Sequence, residues 1–149
     1  MKIEFAANGR VMDGWIGTDI NTCDVRNPLP WPDNSVAEIF HSHLSEHLTS
    51  AECMRFFMEC FRILKPDGVM RIIVPAINDE MTRHHIQDLC IGHQHFQTFS
   101  FINLHAMLFG AGFELHKIWQ TEKKPIDNHH ETIGESKDEL ESLRVEAIK

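Results

Sequence analysis

The stretch VAEIFHSHLSEHLTSAECMRFFMECFRILKPDGVMRIIVP, Val36 to Pro75, reads as strand, helix and strand in direct succession. Val36 to His43 forms the first strand. Thr49-Ser50-Ala51-Glu52 has the spacing of a capping box, with Thr49 as N-cap and Glu52 reaching back to it. Leu48 before the cap and Cys53 after it suit a hydrophobic staple. Cys53, Phe57, Cys60, Phe61 and Leu64 then fall on one apolar stripe at helical spacing. Lys65-Pro66-Asp67-Gly68 ends the helix, because proline cannot continue it and glycine accepts the turn. Val69 to Val74 is the second strand, closed by Pro75.

Working outward, Ile3 to Ala7 and Trp15 to Ile20 read as two earlier strands. Only about six residues separate them, short of the dozen or more that a helical crossover takes. Extended chain, not a helix, must then recross the sheet. Asn27 to Ser35 holds three prolines and reads as a loop. Downstream, Asn78 to His95 is polar, histidine-rich and partly helical. Ser100 caps a helix carrying Leu104, Met107, Leu108 and Ala111, which stops at Gly110-Ala111-Gly112. Phe113 to Gln120 is a strand, 123–142 a polar surface excursion, and Arg144 to Ile148 a closing strand. Strands alternating with helices predict an α/β Rossmann-like fold: a mostly parallel sheet, helices on both faces, and an antiparallel C-terminal edge pair.

A length of 149 residues fits one domain, 1–149, large enough to bury a core without staples. The net charge of −8 argues against a protein that grips phosphate backbones. No apolar run is long enough to span a membrane, and no signal peptide opens the chain, so a cytoplasmic protein is expected. The four cysteines form no Cys-x-x-Cys pair, which leaves small buried hydrophobes as their reading.

Five local patterns in order resemble the class I S-adenosylmethionine-dependent methyltransferases, of the small type 11-like kind. Gly14 to Ile20 resembles a strand of that family that ends in an acidic residue. Leu29 to Ile39 is similar to its LPFPDNSFD run, and His43 to Leu48 to its HVLEHL segment. Arg62 to Gly68 follows R-x-L-K-P-G-G with one substitution, and Ala111-Gly112-Phe113 matches AGF. The resemblance implies S-adenosylmethionine as cofactor and methyl transfer to a small molecule or sugar-containing metabolite. It also implies a site at the carboxyl edge of the sheet. Ala6, Ala7 and Asn8 would form the turn beneath the cofactor, where the family usually has a glycine-rich run. Asp19 would take the ribose hydroxyls and Asp24 the adenine amine, with Ile20 and Val25 flanking the ring and His41 nearby.

Eleven histidines stand out. His43 or His47 would serve as general base, since imidazole titrates near neutrality; a structural role for His47 at the helix entry is the plainer reading. His93 and His95 fall where the family shows a GH-x-H pattern, and would face the substrate. His41 and His43 are expected on one strand face. A metal held by His41, His43 and His47 with His93 or His95 is the rival reading. It is set aside because no His-x-x-x-His motif or carboxylate pattern accompanies it. The other alternative is a degenerate methyltransferase fold that binds or interacts without catalysis. A domain this small could also complete its site across a homodimer.

Overall fold

The computed structural model describes residues 1–7, 9, 11–75, 95–121 and 142–149. Six strands form one sheet in the order β2-β1-β3-β4-β6-β5. They are β1 (Lys2–Phe5), β2 (Ile16–Gly17), β3 (Val36–Ser42), β4 (Leu64–Pro75), β5 (Glu114–Thr121) and β6 (Ser142–Ile148). The first four pair in parallel, whereas β6 runs antiparallel to both β4 and β5. Helix α1 spans Ser50–Ile63 and α2 spans Phe101–Gly110. The expected α/β fold with its antiparallel closing pair is therefore present.

The local signals explain the helices. Thr49 accepts from the Glu52 amide while the Glu52 carboxylate accepts from the Thr49 amide, which is the expected box. Ser100 and Asn103 do the same for α2. Leu48 and Cys53 are both buried in the core. On α1 the buried set is Cys53, Phe56, Phe57, Cys60 and Ile63. These side chains cover the sheet face made by Ile3 and Phe5, Ile39 and His41, Met70, Ile72 and Val74, and Leu143, Val145 and Ala147. Each fully buried large side chain on that face stabilises by about 1.5–3 kcal/mol. Burial pushes the Cys53 thiol up to about 12 and raises Cys60 as well, so both behave as small hydrophobes.

The buried residues of both described α-helices join one core cluster. The opposite face of the sheet carries an ion-pair row, Lys2 with Glu38, Glu38 with Arg71 and Arg71 with Glu146. Two expectations need correction. First, β2 is only Ile16–Gly17, because Asp19 at once folds into a turn whose carboxylate Oδ1 accepts from the Asn21 and Thr22 amides. Second, Lys65 to Gly68 is not a connecting loop: α1 ends at Ile63 and β4 begins at Leu64. The direction changes at Asp67, with φ at +62°, whose amide donates to the Lys149 carbonyl. Gly68 is needed there, since a Cβ would sit 2.8 Å from the Lys65 carbonyl oxygen. The histidine-rich helix expected in 78–94 and the excursion over 123–141 lie outside the described residues.

The proline-rich loop is held to α1 by Arg62. Its guanidinium donates to the carbonyls of Leu29 (3.0 Å) and Trp31 (2.9 Å) and to the carboxylates of Asp33 and Glu59. Glu59 in turn accepts from the Leu29 amide at 2.8 Å. Arg62→Met keeps the aliphatic stem but removes five donors. It is expected to lower stability in urea unfolding by about 2 kcal/mol. A loss below about 0.5 kcal/mol, the size of an ordinary surface change, would mean that water replaces the clamp.

Candidate functional site

The carboxyl ends of β1, β2 and β3 form one rim of the sheet, where open α/β folds bind ligands. After β1 the chain turns at Ala6, whose φ is +58°. That left-handed conformation costs an L-residue roughly 1–2 kcal/mol and is free of that cost in glycine. Ala7 is buried, and its amide donates to the Thr18 carbonyl at 2.9 Å, while the Thr18 amide donates to the Glu4 carbonyl at 2.8 Å. The Glu4 carboxylate, also buried, accepts from the Met12 amide and so ties down the 6–15 crossover. None of the described residues of that crossover is helical. Asn8 lies outside the described residues.

The second side of the rim is the turn after β2. Asp19 is half-buried, and its turn hydrogen bonds from Asn21 and Thr22 all reach Oδ1. They lower its pKa by stabilising the carboxylate, and they leave Oδ2 to accept from a ligand. Ile20 is 66% exposed, an apolar side chain with nothing over it among the described residues. Asp24 is engaged differently. Arg26 grips its two carboxylate oxygens through Nε and Nη2 at 2.8–3.1 Å. Val25 is buried and lines a cleft of about 260 Å³ between the 25–28 loop and Arg55, Met58 and Glu59 of α1. Neither Asp19 nor Ile20 lines that cleft.

Three histidines at the end of β3 separate. His41 is wholly buried, sharing the core face with Ile39 and lying 5.5 Å from the Phe56 ring and 6.3 Å from Phe57. Neither ring nitrogen finds a partner among the described residues. His43 does not share its face, because the strand has ended at Ser42 and φ at His43 is +51°. It is exposed, with Nδ1 3.1 Å from Glu46 Oε1. A 3-10 turn, Ser45–His47, follows, and it puts Glu46 inside and His47 outside. The Glu46 carbonyl accepts from the Phe96 amide at 2.8 Å, which docks the segment after His95. The His47 and His95 rings meet at 4.8 Å. His93 lies outside the described residues.

The structure thus brings His47 and His95 together beside Glu46, sets His43 against the same carboxylate, leaves Asp19 and Ile20 on the rim, and places His41 in the core. The correction for His41 has a simple cause: strand alternation gives it the face of Ile39, against α1. Glu46 is the side chain the expected site lacked. For Glu46 a signal was available, since it lies three residues after His43 and directly before His47 in a segment too short for a full helix.

Residues 3–72 match the family model of the methyltransferase domain. The fold is shared with solved structures of low identity. A candidate sarcosine dimethylglycine methyltransferase from Galdieria sulphuraria superposes with a TM-score of 0.71 at 15% identity, over 99% of this chain and 77% of its own. A SAM-dependent methyltransferase from Archaeoglobus fulgidus gives 0.68 at 16% identity, over 99% and 85%. A phosphoethanolamine N-methyltransferase 2 from Haemonchus contortus, in complex with S-adenosyl-L-methionine, gives 0.71 at 12%, over 99% and 48%. No curated protein matches by sequence. Residues 3–72 thus match a methyltransferase domain, and the described chain shares the fold of solved S-adenosylmethionine-dependent methyltransferases. No helix among the described residues is long and apolar enough to cross a membrane.

Burial pushes the His41 imidazole down to about 4, with the Glu46 carboxylate opposing that and His43 adding to it. The unfolded chain then binds a proton between about pH 6.5 and 4 that the folded chain refuses. The stability from neutral His41 is complete above pH 6.5 and is lost as pH falls toward 4, about 3 kcal/mol in all. Urea unfolding of wild type and His41→Leu at pH 7 and pH 4 measures it. The wild type is expected to lose about 3 kcal/mol more than the variant. Equal losses would place the ring in contact with water.

Proposed function

We propose, from a type 11 methyltransferase domain over residues 3–72 and a matching fold over the described chain, that this protein is an S-adenosylmethionine-dependent methyltransferase acting on a small molecule or sugar-containing metabolite. The observation that carries the reading is the pair of turns at the carboxyl edge. Ala6 holds a backbone conformation suited to close approach by a ligand, and Asp19 is pinned through one carboxylate oxygen only.

These residues fit an adenosyl group on the β2 side. Asp19 Oδ2 would accept from the ribose hydroxyls, and the exposed Ile20 would lie on the adenine ring. Ala6, Ala7 and Asn8 would pass beneath the cofactor. Asp24 would reach the adenine amine only by sharing its carboxylate with Arg26, and Val25 would contribute from below. His41 would act from the core by shaping the floor of the rim. Bound there, S-adenosylmethionine supplies an electrophilic methyl group, and its transfer leaves a neutral thioether. The chain's own task is alignment of the acceptor with that methyl. An acceptor hydroxyl or amine would give its proton to His43, which the Glu46 carboxylate orients, or to His47. His93 and His95 would hold the acceptor from the other side.

A second reading, a methyltransferase fold that binds without catalysis, is favoured by two observations: the strained alanine where glycine would relax, and the Asp24–Arg26 pair. Isothermal titration with S-adenosylhomocysteine separates the two. Micromolar binding is expected, weakened by Asp19→Ala about 10-fold or more, the worth of a hydrogen bond to a charged group. Ala6→Gly is expected to bind at least as tightly as wild type and to be more stable by about 1 kcal/mol. No heat with wild type or with Ala6→Gly at high micromolar ligand would leave only the second reading.

A further inference from the structure

Beside the rim, Glu46, His47 and His95 each offer one ligand atom, and the three atoms lie within 4.8 Å of one another. We propose that these residues bind a divalent transition-metal ion, zinc being the best match, in a two-histidine, one-carboxylate site. Cofactor binding and methyl transfer are separate matters, and the ion's site does not depend on them.

Four features of the molecule support it. Glu46 is 1% exposed, and its Oε2 is buried with no hydrogen-bond partner among the described residues. A carboxylate oxygen taken out of water without a donor is costly, and a cation removes that cost. The second feature is the chemistry of the donors: neutral imidazole nitrogens and one carboxylate oxygen suit zinc, and three protein ligands leave a position for water or substrate. The third is support around the ligands. His43 Nδ1 contacts Glu46 Oε1 at 3.1 Å, as outer partners hold metal-bound carboxylates.

The fourth is the scaffold. The Glu46 carbonyl accepts from the Phe96 and Gln97 amides, and Gln97 Nε2 donates to the Ser45 carbonyl at 3.0 Å. Gln97 Oε1 accepts from the Ser50 hydroxyl at 3.2 Å. His95 is therefore held beside the 45–47 turn by backbone bonds, not by the ion. Tetrahedral zinc with bonds of about 2.1 Å needs ligand atoms about 3.4 Å apart. The remaining closure falls to His47, whose exposed ring can rotate at little cost.

A ligating imidazole cannot also take a proton, so a bound ion leaves His43 as the base of the proposed reaction. The ion's open position would then take an oxygen or nitrogen donor of the acceptor molecule.

The test uses chelator-stripped full-length protein and Co2+, followed by its visible spectrum, with Zn2+ in competition. One equivalent of cobalt is expected to give the intense bands of a low-coordinate site, and zinc to abolish them. His47→Ala and His95→Ala are each expected to lose the bands and to bind weaker by more than the 10- to 100-fold that an outer partner costs. His43→Ala is expected to stay within that range, and His105→Ala, remote on α2, to match wild type. Because Glu46 is buried and its substitution could unfold the chain, the two histidine variants carry the test, with circular dichroism to show that they fold. The proposal is overturned if wild type gives only the pale spectrum of hydrated cobalt. It is equally overturned if the His47 and His95 variants retain the bands, which would assign them to other histidines. None of these readouts requires S-adenosylmethionine to bind.

Discussion

The contact of Phe56 and Phe57 on α1 with Phe5 and His41 on the sheet sets the rest of this molecule in place. Phe5 lies edge-on to Phe56 at 5.2 Å, and His41 stacks toward Phe57. These side chains occupy the last residues of β1 and β3 before the rim, so the packing fixes where both strands end. It also fixes the exit direction of the 6–15 crossover and of the 43–47 turn. Arg62 extends the same helix's influence to the 29–33 loop, which would otherwise have no regular structure to hold it. One helix thus positions both sides of the carboxyl edge of the sheet.

Much of this was legible because the signals are local. A capping box involves four consecutive residues: the Thr49–Glu52 box forms as its sequence requires, and Ser100 caps α2 as expected, with Asn103 adding the reciprocal bond that its sequence did not announce. Periodicity gave Cys53, Phe57 and Cys60 of the buried stripe of α1 but missed Phe56 and Ile63, while Phe61 is half-buried and Leu64 already belongs to β4. The antiparallel closing pair follows from two strands with no helix between them. What was not legible depends on distant parts of the chain. Asp67 takes a left-handed conformation because its amide meets Lys149, the last residue. Lys149 also donates to the carbonyls of Arg62 and Leu64 and lies over the Phe61 ring, closing the end of α1. No pattern within residues 62 to 68 contains that information.

The site divides along the same line. Asp19 at a strand end was readable from its neighbours, and so was a turn after β1 that favours positive φ. The facing of His43 was not, because it depends on whether β3 ends at Ser42 or one residue later. A single residue decides whether an imidazole is core or surface. The spacing of Glu46 from His43 and His47 hinted at a role, but its burial was not readable. A glutamate in a short polar turn ordinarily faces water, whereas this one is buried, with the Phe96 and Gln97 amides on its carbonyl.

The opening of the chain shows how a small sheet replaces a missing helix. A parallel crossover normally buries its helix on the sheet, but 6–15 is too short to provide one. On the face opposite α1 charged and apolar residues are interleaved: Lys2, Glu38, Arg71 and Glu146 share it with the buried Phe40 and Ile73. Lys2, Glu38, Arg71 and Glu146 form a continuous row across β1, β3, β4 and β6. Exposed pairs of this kind add little stability individually. Among the described residues they pair four charges along the face opposite α1. The short crossover bears on the rim. Without a helix after β1, the turn at Ala6 is held by Glu4 and Thr18 instead of by helix packing, and that lets an alanine persist in a conformation that favours glycine.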